Sequence, residues 1–302
     1  AIHDYSQALL LFPRFIAALR NRGKVYAEIG YFDQAIQDYS TVIELEPQLI
    51  EMYFFRGNIY LQLKNYEKAQ RDYSTTLVKD PFYTMAYVNR ALIFMKMNLV
   101  DQAISDLNEA LVIEPDNSLL YLNRGNVYTQ IGNFDLAIRD FTTAIRLNPN
   151  YVEAYYNRGN VYFQQKKYQS AIRDYTKALT INPRHVSAYN NRGIAQQMRG
   201  KYDHALTDFN QAIDLNPNYC DAYYNRGQVY LNKKDFEKAL SDFTTVLTID
   251  PTYHKAFLSR SISYFSLNKF VEAWSDLEQY IQLGGSPDKT LVDLIKEKLP
   301  RE

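Results

Sequence analysis

Proline recurs along this chain at one fixed interval. Each proline in the series stands 34 residues after the one before it, over most of the 302 residues. Such regularity indicates a duplicated unit, and a period of roughly 20 to 50 residues is typical of repeat architectures in which each unit packs on its neighbours. The series comprises Pro13, Pro47, Pro81, Pro115, Pro149, Pro183, Pro217 and Pro251.

Further columns of residues align on these prolines. A small residue stands twelve residues before an alanine in each unit, as at Gly57 and Ala69. Aromatic side chains recur four residues before the small residue and three after it, as at Tyr53 and Tyr60, which places them on one helical face. Proline lacks a backbone donor and disfavours helix in the residue before it. The sequence therefore predicts two closely packed helices per unit, the second ending before the proline.

These columns resemble the tetratricopeptide-repeat (TPR) family, whose 34-residue helix-turn-helix unit carries an aromatic, a small residue, Tyr, Ala, Phe and Pro in this order. The resemblance implies an all-α fold, a right-handed superhelical α-solenoid with an inner helix A and an outer helix B in each repeat. Two departures are Gln196, which replaces the tyrosine of the sixth unit, and Gly285, which stands where a ninth proline was due. The predicted repeats are 16–49, 50–83, 84–117, 118–151, 152–185, 186–219, 220–253 and 254–285.

The two ends are predicted to differ from the repeats between them. Residues 1–15 match a helix B whose own helix A is absent, either because the chain is trimmed there or because an exposed edge pairs with another repeat. The second interpretation implies self-association through the N-terminal repeat edge. Residues 286–302 are predicted to form a C-terminal capping helix, with Ser286 as N-cap and Pro287 as the first helical residue.

Two charged columns run through all the repeats. Arginine precedes the small residue in each unit, as at Arg22, and aspartate recurs on helix B, as at Asp4 and Asp38. On a helical wheel the arginine points toward the preceding unit, so we expect each arginine to pair with the aspartate 18 residues earlier and Asp276 to have no partner. Control of register between repeats is favoured over a phosphate-binding ladder, because paired charges usually serve structure.

Asparagine and glutamine occupy two further columns of helix A, on the face that lines the concave groove in the TPR family. Side-chain amides both donate and accept hydrogen bonds, so a row of them can bind the backbone of an extended peptide. The asparagine column resembles the ladder in the TPR arm of protein O-GlcNAc transferase, which implies peptide-backbone binding. The alternative is that these asparagines cap turns or bond to the neighbouring helix. The candidate groove residues are Asn21, Asn58, Asn89, Asn123, Asn126, Asn157, Asn160, Asn191, Asn225 and Gln228, with Tyr156 and Tyr224 as aromatic surface.

Composition and motifs disfavour several classes of function. The 34 basic and 34 acidic residues balance, which provides no electrostatic footprint for nucleic acid. The four histidines have no metal-ligand spacing, Cys220 has no partnered histidine, and a Gly-rich phosphate loop is absent, so we predict no metal, no cofactor and no catalytic activity. The single cysteine and the lack of a long apolar run predict an intracellular, cytoplasmic protein that is not inserted in a membrane.

Three functions remain open at this stage. The chain is predicted to be an adaptor or scaffold that binds an extended protein segment in its groove. Alternatively, it is an architectural component of a larger assembly, such as a ciliary complex, held through its convex surface. A third hypothesis is the substrate-selecting arm of an enzyme whose catalytic part lies upstream of Ala1.

Overall fold

The computed structural model describes residues 1–299, and over this range the chain forms eighteen α-helices and no strand. The predicted all-α class is therefore confirmed. The helices group into two compact units, Ala1–Pro149 and Asn150–Glu302, the second described as far as residue 299.

Helices A and B alternate regularly within each unit. The helices A are α2 (Ile16–Glu28), α4 (Ile50–Gln62), α6 (Thr84–Lys96) and α8 (Ser118–Gln130) in the first unit, and α10 (Val152–Gln164), α12 (Val186–Met198), α14 (Cys220–Asn232) and α16 (His254–Ser266) in the second. The helices B are α1 (Ile2–Leu11), α3 (Phe32–Leu45), α5 (Tyr66–Lys79), α7 (Val100–Ile113) and α9 (Phe134–Leu147) in the first unit, and α11 (Tyr168–Ile181), α13 (Tyr202–Leu215), α15 (Phe236–Ile249) and α17 (Phe270–Gln282) in the second.

The turn from helix A to helix B contains one residue in the left-handed region. Glycine occupies this position in some repeats, but Lys166 and Asn98 adopt it with φ of 59° and 60°. A non-glycine residue is strained there, and asparagine tolerates the conformation better than lysine. The repeat thus imposes one backbone geometry on different residues.

The turn from helix B to the next helix A is set by the residue before proline. In at least four of these turns that residue also accepts a hydrogen bond from the backbone N–H two residues later, as Asp80 Oδ1 does from Phe82 at 2.9 Å. Such Asx turns satisfy a backbone donor where the helix ends. Helix B therefore stops where the sequence predicts.

The core of each repeat is a close contact between helix A and the aromatic of helix B. A Cβ built on Gly125 would lie 2.7 Å from Cε1 of Phe141, so only glycine fits beside that ring. Alanine replaces the glycine at Ala91, where the facing core residue is Leu107. The predicted close approach of the two helices is confirmed, and the small residue and the core residue vary together.

The C-terminal helix α18 (Lys289–Lys298) begins later than predicted. The proposed N-cap at Ser286 with Pro287 in the first turn is wrong. Asp288 is the N-cap, and its Oδ1 accepts a hydrogen bond of 2.7 Å from the backbone N–H of Thr290. A carboxylate at this position also interacts favourably with the helix dipole. Ile295 of α18 is fully buried against α17, as a capping helix requires.

Candidate functional site

The candidate site is the set of amides on the helices A, called here the amide surface. Its members are Asn21, Asn58, Asn89, Asn123 and Asn126 in the first unit, and Asn157, Asn160, Asn191, Asn225 and Gln228 in the second. All are partly buried except Asn126, which is exposed. The backbone thus places each amide where solvent reaches part of it.

In the first unit, one amide of the surface bonds to the next repeat. Asn58 Oδ1 accepts hydrogen bonds from the Tyr73 hydroxyl at 2.7 Å and from Asn89 Nδ2 at 2.9 Å. Tyr73 belongs to helix B of the same repeat as Asn58, and Asn89 to helix A of the following one. The three side chains join two repeats.

The second unit contains the same arrangement three repeats further on. Asn160 Oδ1 accepts hydrogen bonds from the Tyr175 hydroxyl at 2.8 Å and from Asn191 Nδ2 at 3.0 Å. The Nδ2 group of Asn191 also donates to the Tyr156 hydroxyl at 3.0 Å. Two polar contacts therefore connect α10 to α12.

Other amides of the second unit are paired in different ways. Asn225 Nδ2 donates to Oδ1 of the buried Asn190 at 2.9 Å, and Gln228 Nε2 donates to Ser259 Oγ at 2.7 Å. The interpretation in which the asparagines bond to a neighbouring helix therefore holds for these residues. A buried or half-buried amide needs such partners to offset its lost hydration.

Two amides stand apart from these networks. Asn21 and Asn123 make no hydrogen bond to another described residue. Asn89 and Asn191 each bond to an asparagine 31 residues earlier in the chain. The residue 31 positions before Asn123 is Leu92, which offers no acceptor in its side chain. Asn123 has therefore lost the acceptor that its counterparts use. Asn126 and Asn157 are engaged with other residues.

Pockets open beside these amides at equivalent places in three pairs of repeats. The first, of about 290 Å³, is lined by Asn21, Lys24, Tyr39 and Phe55 among others. The second, of about 260 Å³, lies between α6 and α8, and the third, of about 280 Å³, between α10 and α12. One helix-B core residue lines each pocket: Tyr39, Leu107 and Tyr175 respectively.

The two predicted aromatic residues are both half-buried and both pack against rings. Tyr156 lies 4.7 Å from the ring of His185 and 5.9 Å from that of Tyr175. Tyr224 lies 5.2 Å from the ring of Tyr253 and 5.8 Å from that of Phe243. These tyrosines belong to the structural aromatic packing as well as to the surface.

Burial determines the protonation of the hydroxyl and imidazole groups at the site. It raises the pKa of Tyr73 and of Tyr175 far above the usual range, so both hydroxyls remain donors to their asparagines. Burial also lowers the pKa of His185, whose Nδ1 accepts a hydrogen bond from the backbone N–H of Ala188 at 3.3 Å. The neutral imidazole is the form that can accept this bond.

The arginine column pairs differently from the prediction. Each arginine binds the aspartate 16 residues later, in helix B of its own repeat, and the expected pairing with the aspartate 18 residues earlier is wrong. Arg22 donates to Asp38 through Nε at 2.9 Å and Nη2 at 2.7 Å, and Arg260 binds Asp276 in the same way. Asp276, expected to lack a partner, is therefore paired, whereas Asp4 is exposed beside the N-terminal amine.

The arginine nevertheless reaches the preceding repeat, through its third nitrogen. Nη1 of Arg22 donates to Ser6 Oγ at 3.1 Å, and Nη1 of Arg90 donates to Ser74 Oγ at 3.0 Å. The guanidinium also lies over aromatic rings of its own helix, such as Tyr87 for Arg90. In the second repeat, the hydrogen bond between Arg56 and Asp72 raises the pKa of the Arg56 guanidinium. The arginine thus joins the two helices of its own repeat through a bidentate ion pair and reaches the preceding repeat through a single hydrogen bond.

Within residues 1–299, none of the helices is both long enough and apolar enough to cross a membrane. The same residues contain no group of three or more His, Cys, Asp or Glu side chains that could hold a metal ion. Cys220 is half-buried, and burial raises the pKa of its thiol.

Sequence reasoning missed the role of the helix-B core residue in the site. Tyr73 and Tyr175 count as core aromatics by their spacing, yet their hydroxyls orient the surface amides. It also missed the pocket beside Leu92. A detectable pattern was present, because Leu92 and Leu107 together replace the amide and the hydroxyl of other repeats.

Comparison with known proteins follows the repeat pattern. Models described as "TPR repeat" or "Tetratricopeptide repeat" match residues 17–49, 56–118 and, in overlapping segments, 125–253. No curated protein matches the chain.

Several solved structures are similar to the chain. MamA is 27% identical with a TM-score of 0.50, over 56% of this chain and 92% of that chain. YrrB, described as a TPR protein with an unusual peptide-binding site, is 25% identical with a TM-score of 0.53, over 64% and 98%. The C-terminal part of a TPR repeat-containing protein from Cytophaga hutchinsonii is 22% identical with a TM-score of 0.65, over 79% and 98%, which concerns the fold alone. Because the repeat models match most of the chain and its helical pairs have TPR geometry, the protein belongs to the tetratricopeptide-repeat family.

Proposed function

We propose that this protein is an interaction scaffold that binds an extended segment of a partner protein along the amide surface. The TPR fold and the similarity to TPR proteins support a general role as a protein-interaction scaffold. The proposal adds the surface, the residues and the conformation of the bound segment.

The observation that carries the proposal is the recurrence of a pocket at equivalent positions in three pairs of repeats. The linings of the pockets beside Asn21, Asn123 and Asn191 each include at least one amide and one core side chain of helix B. An extended segment presents backbone N–H and C=O groups along its length and side chains at regular intervals, so a periodic row of amides and pockets suits it.

The amides that bond to one another support this proposal in a modified form. Asn58 and Asn160 use their Oδ1 atoms within the protein, whereas their Nδ2 groups make no hydrogen bond to another described residue. The internal bonds hold these side chains in one orientation. A preorganised donor binds a ligand with a smaller loss of conformational entropy than a mobile one.

The experiment uses peptides selected from a random display library against the wild-type chain. We expect the variant with Asn21→Ala and Asn123→Ala to bind the selected peptides at least tenfold more weakly at unchanged melting temperature, because neither side chain has an internal hydrogen bond to lose. The matched control is Gln37→Ala with Gln102→Ala, two exposed amides on helices B, which should leave affinity unchanged.

Two outcomes would contradict the proposal. One is a selection that enriches no peptide, and the other is an affinity that both double variants retain. The architectural alternative, in which other faces of the array hold the partner, predicts the second outcome. An intracellular location and the absence of nucleic-acid binding remain predictions from composition.

A further inference from the structure

The pocket between α6 and α8 is chemically unlike its counterparts. Apolar side chains line most of it, including Val88, Leu92, Met95 and Leu107. In the equivalent pocket between α10 and α12, the positions of Leu92 and Leu107 hold Asn160 and Tyr175, which bond to each other. The third repeat has therefore exchanged a polar pair for an apolar pair.

This exchange leaves apolar surface open to water. Leu92 is 46% exposed, although it lies over a pocket formed by other apolar residues. Covering such surface is favourable by about 25 cal/mol per Å². The internal packing of the first unit does not provide that cover.

Polar groups at the rim of the pocket lack partners of their own. Asn123 makes no hydrogen bond to another described residue, since Leu92 replaces the acceptor that the asparagine would otherwise use. Lys96 is exposed and forms no ion pair with a described residue. A bound chain that inserts an apolar side chain would bring its own backbone to Asn123 and a neighbouring side chain to Lys96.

The volume limits the size of the group that can enter. About 260 Å³ lies below the range of roughly 300 to 1,000 Å³ typical of pockets that hold whole small molecules. It corresponds to about nine water molecules at ~30 Å³ each. One aliphatic, methionine or phenylalanine side chain is the matching occupant.

We propose that this pocket, defined by Val88, Leu92, Met95 and Leu107, is the specificity site for an apolar side chain of the bound segment. Asn123 binds the backbone of that segment next to the inserted side chain, and Lys96 pairs with an acidic residue beside it. The inference rests on the proposed function and names the partner chemistry: an extended segment with a large apolar residue next to an acidic one.

The test selects peptides with the wild-type chain and compares their affinity for the wild type with their affinity for Leu92→Asn. This substitution introduces the residue that the neighbouring repeats have at the same position. We expect the selected peptides to share an apolar residue next to Asp or Glu, and to bind Leu92→Asn at least tenfold more weakly. The matched control is Leu119→Asn, the same chemical change at a partly exposed leucine of α8 outside the pocket, which should leave affinity unchanged. Lys96→Glu should weaken binding most at low salt.

Methyl NMR reports directly on occupation of the pocket, because a purely structural role of Leu92 would leave the Met95 methyl signal unchanged when peptide is added. The chain has five methionines, and Met95 alone among them lines this pocket. With methyl-labelled methionine assigned through Met95→Leu, the Met95 signal should shift on addition of a selected peptide, and an alanine in place of its apolar residue should abolish the shift.

The outcomes separate this inference from the proposed function. Peptides that bind the wild-type chain but bind Leu92→Asn equally well, with no Met95 shift, would overturn the pocket assignment and leave peptide binding intact. A selection without enrichment would overturn both. Melting temperatures of Leu92→Asn and Leu119→Asn, measured together, show whether unfolding contributes to any loss.

Discussion

The third and fifth repeats have the same backbone arrangement and opposite chemistry in their pockets. In the third, the small residue, the surface residue and the core residue are Ala91, Leu92 and Leu107. In the fifth they are Gly159, Asn160 and Tyr175, joined by a hydrogen bond between the last two. The small residue and the core residue differ together in these two repeats, because the core side chain limits which small residue fits, and the tyrosine hydroxyl gives the surface asparagine a partner.

The largest predicted effect concerns the arginine–aspartate ion pair, which the third and fifth repeats share. We expect Arg90→Ala and Arg158→Ala each to lower the free energy of unfolding by about 3 to 5 kcal/mol, since each leaves a buried aspartate without its bidentate partner. Urea denaturation measures the loss. The charge-neutral pair Arg90→Met with Asp106→Leu should cost less. Equal stability of Arg90→Ala and wild type would show that the ion pair is not structural.

The second prediction concerns the coupling of the small residue to the core residue. A Cβ on Gly159 would lie 2.7 Å from Cε1 of Tyr175, so Gly159→Ala should destabilise the fold by about 1 to 3 kcal/mol. In the Tyr175→Leu background, which reproduces the third repeat, the same change should be neutral or stabilising, because alanine favours helix over glycine. A double-mutant cycle from urea denaturation measures the coupling. Additive effects of Gly159→Ala and Tyr175→Leu on the free energy of unfolding would show that the small residue and the core residue are not coupled.

The third prediction compares the turns that follow the two helices A. Lys166 and Asn98 adopt nearly the same positive φ, and lysine is the more strained in that region. We expect Lys166→Gly to raise the free energy of unfolding by about 0.5 to 1 kcal/mol and Asn98→Gly to raise it less. Thermal unfolding of both variants measures the difference. A larger gain from Asn98→Gly would contradict the strain argument.

The smallest predicted effect is a pH dependence of stability, and it arises at the start of the helix A that follows the fifth repeat. Helix α8 begins after Asn117 and α12 after His185, and both side chains accept a backbone hydrogen bond as N-caps. Burial lowers the pKa of His185 in the folded chain, while the unfolded value is about 6.5. Below about pH 6.5 the unfolded chain therefore binds the proton more readily, and the stability from neutral His185 is lost as pH falls through its folded pKa.

His185→Asn tests this assignment, because asparagine caps α12 without titrating. We expect the melting temperature of the wild type to fall more than that of the variant between pH 7.5 and pH 5.5. Identical pH profiles would mean that His185 does not contribute to the pH dependence.

The sequence predicted the periodic parts of the fold well, because they depend on local rules. Pro47 and its counterparts end the helices B, and Gly125 marks a close approach to Phe141. The partner of each arginine could not be deduced in the same way. The aspartates 18 residues before and 16 residues after it belong to identical columns, so spacing alone could not separate the two, and only the packing of helix A on helix B decides between them.

The candidate site was predictable in position but not in detail. The amide columns fall on the helices A as expected, yet the bonds of Asn58 and Asn160 depend on the exact placement of a tyrosine hydroxyl in the next helix. A helical wheel gives directions around one helix and says nothing of distances between helices. The pocket at Leu92 likewise depends on three helices meeting at one point.

The location of the arginine–aspartate pair within a single repeat has a consequence for how such an array can change length. Arg192 and Asp208 belong to the same 34-residue segment, so removing or inserting a whole segment carries both charges together. Of the hydrogen bonds made by the arginine, only the one to the preceding helix B must be formed anew, and Ser, Thr and Asn all accept it. Gain or loss of repeats thus leaves no stranded charge, and the number of pockets along the array can evolve independently of the ion pairs that hold each repeat together.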